Sequence, residues 1–198
     1  KADDLLELGI TISDPTRIDV RGDISAGTDC IIDINVILEG NIKLGDNVSI
    51  GPNTLLKDVE IGDNTVIEAF SHLVSSKIGN DCNIGPYARL REGSFIDNGA
   101  KIGNFVETKK TTIGKKSKAN HFSYLGDAEI GEDTNIGAGS ITCNYDGKEK
   151  HQTKIGDKSF IGTNSSIVAP VNIGSNAYIA AGSVITKDVP DDSLGVSR

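Results

Sequence analysis

Large aliphatic residues recur every five or six positions along nearly the whole chain: Val20, Ala26, Ile32, Leu38, Leu44, Ile50, Leu56, Ile61, Ile67, Leu73, Ile78, Ile84, Leu90, Ile96, Ile102, Thr108, Ile113, Ala119, Leu125, Ile130, Ile136 and Thr142, then Ile155, Ile161, Ile167, Ile173, Ile179 and Ile185. All but Ala26, Thr108, Ala119 and Thr142 are Val, Ile or Leu. Four positions after an anchor the residue is usually small or β-branched, as at Thr54, Thr65, Cys82, Ala88, Ser94, Ser117, Thr134, Ser140 and Ser159. A helix requires a period of about 3.6 residues and an ordinary strand a longer alternation, so a hexapeptide repeat suits neither.

A unit with one inward apolar side chain, a short extended stretch and a turn is one side of a coil. Three sides close a triangle of about eighteen residues, and stacked triangles form a parallel β-solenoid with strands roughly 4.8 Å apart. Corners are predicted at Gly45-Asp46-Asn47, Gly62-Asp63-Asn64, Gly79-Asn80-Asp81, Gly131-Glu132-Asp133 and Gly156-Asp157-Lys158, where Gly, Asn and Asp accept left-handed backbone angles at low cost. The period predicts an all-β solenoid of about nine coils over residues 17–189. A lead-in over 1–16 precedes it, a loop over 143–154 interrupts it, and a tail over 190–198 follows. A sandwich or a Rossmann sheet is excluded because the repeat never relaxes into a helical period.

The chain has 198 residues, of which 37% are hydrophobic and 5% aromatic. That is lean for a globule, and one large inward residue per coil side accounts for it. A net charge of −8 and a pI near 4.9 argue against nucleic acid or an anionic membrane as partner. No apolar run approaches about eighteen residues, so a soluble, cytoplasmic protein is expected. Cys30 and Cys82 occupy the small-residue slot, so disulfides are not expected and a reducing compartment fits. The opening Lys1-Ala2-Asp3-Asp4-Leu5-Leu6-Glu7-Leu8-Gly9 reads as the end of a linker helix, and a fragment of a longer protein is expected.

The repeat breaks once. Thirteen positions separate Thr142 from Ile155, so a loop containing Asn144-Tyr145-Asp146-Gly147-Lys148-Glu149-Lys150-His151 is extruded from the prism. Excursions from a rigid scaffold are where functional residues concentrate. Arg91 and Lys109 each follow an anchor, and those anchors lie three repeats apart, which stacks the two cations on successive coils. Like charges so placed are unfavourable unless an anion bridges them, and a phosphate-bearing ligand is the natural counter-ion. Lys110, Lys115, Lys116 and Lys118 extend this basic zone, the last three as solvated turn residues. His121 lies between the stacked cations and the loop, and an imidazole suits proton removal from an attacking amine near neutral pH. His72 and His151 read as surface residues. The three histidines are too far apart in sequence for a converging metal site, so no metal is expected.

Four segments carry a family resemblance: Gly85-Pro86-Tyr87-Ala88-Arg89-Leu90-Arg91, Gly103-Asn104-Phe105-Val106-Glu107-Thr108-Lys109-Lys110, Tyr124-Leu125-Gly126-Asp127-Ala128-Glu129-Ile130-Gly131, and Asn135 through Gly147 with its Asn-Tyr-Asp-Gly loop. They resemble the C-terminal acetyltransferase domain of the bacterial bifunctional glucosamine-1-phosphate acetyltransferases and N-acetylglucosamine-1-phosphate uridyltransferases. The resemblance implies a left-handed parallel β-helix, a homotrimer with sites between neighbouring prisms, and transfer of acetyl from acetyl-CoA to the amine of glucosamine 1-phosphate. The product would feed UDP-N-acetylglucosamine and cell-wall precursor synthesis. It implies His121 as general base, Arg91 and Lys109 on the sugar phosphate, and Tyr124 and Asn135 orienting the sugar. Asn144 and Tyr145 would line the meeting point of sugar and acetyl group. Ala138, Thr163 and Ala181 would contact acetyl-CoA, with Lys150 and Arg198 on its phosphates. Asn120 and Thr163 depart from the family's common Gly and Ser, both tolerably, and Arg198 is the last residue.

Direct acyl transfer is expected, and an acyl intermediate on Cys143 is disfavoured because no activating base is adjacent in sequence. No Gly-rich nucleotide loop is present, so the uridyltransferase half is expected to be absent. The alternatives are a hexapeptide acyltransferase acting on another amino sugar and a non-catalytic solenoid scaffold.

Overall fold

The computed structural model describes residues 2–197. After the helix Ala2–Glu7, which buries Leu5 and ends at Gly9 with φ +85°, the chain winds as a β-solenoid in which all inter-strand ladders are parallel. One face is a sheet of 11 short strands running from Thr11–Ile12 to Leu194–Gly195. The other two faces share a 13-stranded sheet, because strands such as Val36–Leu44 and Glu107–Ile113 run through the corner between them.

Eleven strands on one face mark about ten turns, one more than the nine predicted. The anchor series starts at Val20 and stops at Ile185, whereas pairing begins with Thr11–Ile12 on Ile31–Ile32 and ends with Leu194–Gly195 on Tyr178–Ile179. The end turns escape the pattern because they bury one face of the chain only against the turn beside them.

The predicted anchors form the core. Ile32, Leu38, Ile50, Leu56, Ile67, Leu73, Ile84, Leu90, Ile96, Ile102 and Ile113 are fully buried and stack from turn to turn. The small slots close the corners from inside: Cys30 Sγ donates to the Gly45 carbonyl (3.1 Å), Thr65 Oγ1 to Gly79 (2.8 Å) and Ser117 Oγ to Gly131 (2.6 Å). Burial pushes both the Cys30 and Cys82 thiols up. Outside, an Asp/Asn ladder closes the same corner. The backbone N–H groups of Thr28, Asp46, Asp63 and Asn80 donate to Oδ1 of Asp46, Asp63, Asn80 and Asn98 on the following turn, at 2.7 to 2.9 Å. The glycine beside each donor follows from this: a Cβ at Gly45 would lie 2.2 Å from Asp63 Oδ1 and one at Gly62 2.1 Å from Asn80 Oδ1. Turn sequence and turn stacking are thus one constraint.

Candidate active site

Register places His121 directly on Asn104 at the edge of the 11-stranded face. Continuing the ladder by three residues beyond Asn135, Phe160 and Tyr178, the same column carries Ala138, Thr163 and Ala181, and backbone bonds confirm it: Asn164 N–H to Ala138 O and Gly182 N–H to Thr163 O, both 2.7 Å. Four of the predicted residues therefore form one solvent-facing line: an imidazole, then small side chains.

His121 is exposed, and its Nδ1 lies 3.0 Å from Asn104 Oδ1. An amide carbonyl can only accept, so this contact sets the tautomer with hydrogen on Nδ1 and the lone pair on Nε2. Asn104 carried no assigned role in the sequence reading, although its segment was singled out.

The corner after this column is held by non-glycine residues in left-handed backbone: Phe70, Tyr87, Phe105 and Phe122, with φ from 50° to 61°. On successive turns Phe70 stacks on Tyr87 and Tyr87 on Phe105, at centroid separations of 4.9 and 5.3 Å, while Phe122 meets Phe105 edge-on at 6.5 Å, and all four are exposed. Bulky residues pay for such angles, and Gly or Asn occupies this corner higher up, at Gly139, Asn164 and Gly182. Where the aromatic ladder ends, a cleft of about 330 Å³ opens, lined by Phe105, Glu107, Phe122, Tyr124, Gly139 and Ile141. A smaller hollow of about 250 Å³ lies on the other side of the corner, against Lys101, Asn104, Asn120 and His121. A hollow of about 520 Å³ at the open end of the coil, under Val184–Ser197, holds none of the described predicted residues.

Beyond the corner lie the cations. Ladder pairing puts Leu90 on Thr108, and so Arg91 beside Lys109, as the spacing predicts. The inference that they lack a counter-ion is corrected by the structure. Arg91 Nη1 lies 2.8 Å from Glu107 Oε1, and the two oxygens of Glu92 face Lys109 Nζ (3.1 Å) and Arg91 Nε (3.8 Å). Glu107 also faces Arg89 at 3.6 Å. Hydrogen bonding to Glu107 raises the Arg91 pKa, and the Lys109 contact lowers that of Glu92. Charge balance therefore does not by itself demand a ligand here. Lys109, with only 16% of its side chain exposed, is nonetheless fixed more firmly than a solvated lysine.

Tyr124 meets Asn144 across Gly126, with Oη to Nδ2 at 3.5 Å, and Asn144 is buried. The extruded loop returns on itself: Tyr145 bridges Lys150, and Asn144 O accepts from His151 N–H at 2.8 Å. Asp146 ties the tip, accepting from the N–H groups of Lys148 and Glu149 (2.8 Å each) and from His151 Nε2 (2.7 Å). These bonds hold the Asp146 carboxyl far below the usual carboxylate range. His151, read from sequence as an isolated surface residue, is instead half-buried and part of this clasp.

Asn135 sits on the 11-stranded face between Lys118 and Phe160, not beside Tyr124. Within one chain, therefore, His121, Asn135 and the Ala138 column lie on one side of the Phe122 corner. Arg91, Lys109, Tyr124 and Asn144 lie on the other. Arg198 lies outside the described residues.

A turn-by-turn repeat of this kind defines the class, and the chain belongs to the hexapeptide-repeat transferases. Residues 152–187 match the family model "Bacterial transferase hexapeptide (six repeats)" and residues 41–69 match "Hexapeptide repeat of succinyl-transferase". Within that class it is a homologue of the bacterial bifunctional protein GlmU. It is 54% identical over all 198 residues to the protein of that name from Alkalilimnicola ehrlichii and 56% identical to that from Acinetobacter baumannii strain AYE. The chain spans 43% and 44% of those relatives' lengths, so it corresponds to part of them. Among solved structures, a mutant of perosamine N-acetyltransferase from Caulobacter crescentus, in complex with CoA and GDP-perosamine, superposes with a TM-score of 0.51. The match has 21% identity and covers 57% of this chain and 51% of that one, a likeness of fold.

Proposed function

We propose that this chain is the acetyltransferase part of such a protein, moving acetyl from acetyl-CoA to the amine of glucosamine 1-phosphate to give N-acetylglucosamine 1-phosphate. The observation that carries the proposal is the oriented His121 at the foot of the Ala138, Thr163 and Ala181 column. Relatives named as bifunctional GlmU, similar over the whole chain, support the substrate assignment.

In this reading the extended arm of acetyl-CoA lies along the small-residue column, which offers no side chain large enough to block it. Lys150 from the loop, and Arg198 from the end of the chain, meet its phosphates. Nε2 of His121 accepts a proton as the amine attacks the thioester carbon and returns it to the sulfur as the carbon–sulfur bond breaks, so that CoA leaves as its thiol. Asn104 holds Nδ1–H so that the lone pair stays on Nε2. Arg91 and Lys109 bind the sugar phosphate, Tyr124, Asn135 and Asn144 orient the sugar, and Tyr145 covers the acetyl group. No step requires a metal.

The division of these residues across one corner supports the homotrimer. Residues from neighbouring prisms complete each site, and the exposed Phe70, Tyr87, Phe105 and Phe122 ladder provides the apolar surface for packing. The protein works in the cytoplasm. Among the described residues no helix is long and apolar enough to cross a membrane.

Thiol release from acetyl-CoA, measured with glucosamine 1-phosphate and a panel of other amines, tests the assignment. Preference for another amino sugar would redirect it, and no turnover with any amine would return the chain to a scaffold role.

A further inference from the structure

Asp127 is the last residue of its corner before the loop leaves the prism, with φ +47°. Its Oδ2 lies 2.5 Å from Nδ2 of Asn144, the residue on which the loop closes. Asn144 is 7% exposed, and its backbone is committed, donating to Thr142 O (2.9 Å) and accepting from His151 N–H (2.8 Å). Only its side chain has freedom to choose a direction.

That freedom is removed by chemistry. An ionised carboxylate has no hydrogen to give, so the Asn144 amide must turn its NH2 toward Asp127 and cannot present its carbonyl there. The Tyr124 oxygen stands 3.5 Å from the same nitrogen. Gly126 leaves room for this meeting, since a Cβ there would lie 2.4 Å from Tyr124 Oη and 2.8 Å from Asn144 Nδ2. With its nitrogen turned to Asp127 and Tyr124, the group Asn144 has left for a ligand is its carbonyl oxygen, an acceptor. Tyr124, meeting an N–H with its oxygen, keeps its O–H to donate.

We propose that Asp127 is a positioning residue that fixes the polarity of the acceptor-substrate site, holding Asn144 as a hydrogen-bond acceptor for the N–H of the incoming amine. The proposal rests on the acetyltransferase reading and adds how an amine is told from a hydroxyl-only or already acylated sugar. A free amine keeps a hydrogen for Asn144 while its lone pair attacks. Asp127 touches no reacting atom.

The test is steady-state kinetics on the intact protein with acetyl-CoA and glucosamine 1-phosphate, comparing Asp127→Asn, Asn144→Asp and the double swap. Asp127→Asn keeps size but lets the Asn144 amide flip. It is expected to lower kcat/KM for the amino sugar at least tenfold, with KM for acetyl-CoA within twofold and the melting temperature within a few degrees. The swap restores one donor facing one carboxylate with a free acceptor oxygen, and is expected to recover most of that loss. If wild type acetylates the sugar and Asp127→Asn does so within twofold of it, the proposal is overturned. Equal losses for both substrates, or a swap no better than either single variant, would reduce Asp127 to a loop anchor and overturn it too. A wild type that does not acetylate this sugar would instead sink the substrate assignment. The side-chain amide protons of Asn144 then decide the orientation alone: a nuclear magnetic resonance shift on Asp127→Asn is expected, and no shift overturns the proposal.

Discussion

Asn104 Oδ1 lies 3.0 Å from His121 Nδ1, one turn below it in the same column. A residue 17 positions earlier thereby decides which nitrogen of the imidazole can take a proton. His121→Ala is expected to lower acetyl transfer about 100-fold to 10,000-fold with acetyl-CoA binding little changed. Asn104→Ala, which leaves the ring but frees its tautomer, is expected to lower it about twofold to tenfold, the worth of one net hydrogen bond. Turnover of His121→Ala within threefold of wild type would dismiss the base.

The Arg91 and Lys109 pair yields a prediction with two signs. Replacing either by Ala removes a charge-assisted phosphate contact of about 1.5 to 3 kcal/mol, so KM for glucosamine 1-phosphate rises more than that for acetyl-CoA. Glu92 now holds both cations. Glu92→Gln removes that competitor and is expected to lower KM for the sugar phosphate by about twofold to fivefold, in line with an exposed ion pair. A rise on Glu92→Gln would mean the carboxylate aims the cations rather than competing for them.

The loop clasp has a pH signature. Asp146 is held far below the usual range by the N–H of Glu149, then by His151 and the N–H of Lys148. A carboxyl depressed in the folded state stabilises it above the unfolded value of about 3.9, and that contribution is lost as pH falls toward the folded value. The loop should stay clasped between pH 4 and 5, and Asp146→Asn should loosen it at any pH. Amide hydrogen exchange at Lys148 and Glu149 reads this directly. Equal protection in Asp146→Asn would show that the hairpin holds without the clasp.

The core should be costly to thin. Ile102 is fully buried between Ile84 and Ala119 on adjacent turns. Ile102→Ala is expected to cost about 2 to 5 kcal/mol in denaturant unfolding. A loss under about 1 kcal/mol would mean that the stack closes over the gap.

The repeat made the fold legible because every inward residue is its own signal, whatever its neighbours do. The loop stood out for the opposite reason, because it interrupts the rule, and His121 stood out as a rare residue type lying between the stacked cations and that loop. What stayed hidden depends on exact register. Arg91 and Lys109 are one turn apart at a spacing of 18, whereas Asn104 and His121 are one turn apart at 17. Turn length drifts at the corners, so cross-turn partners such as Asn104, or Asp127 for Asn144, cannot be counted out from a fixed period. The counter-ions Glu92 and Glu107 were missed because carboxylates at outward positions look like ordinary solubilising charge. Only side-chain reach shows which cation each one serves.

The turn carrying the loop is 25 residues long from Asn135 to Phe160, yet the next rungs resume in register. The excursion leaves and re-enters without displacing the ladder on either side, so its length is decoupled from the scaffold. Doubling such a loop adds only about 0.6 kcal/mol of closure entropy. A lineage could therefore lengthen, shorten or recompose this segment, and with it the choice of what is gripped beside His121, without re-solving the fold.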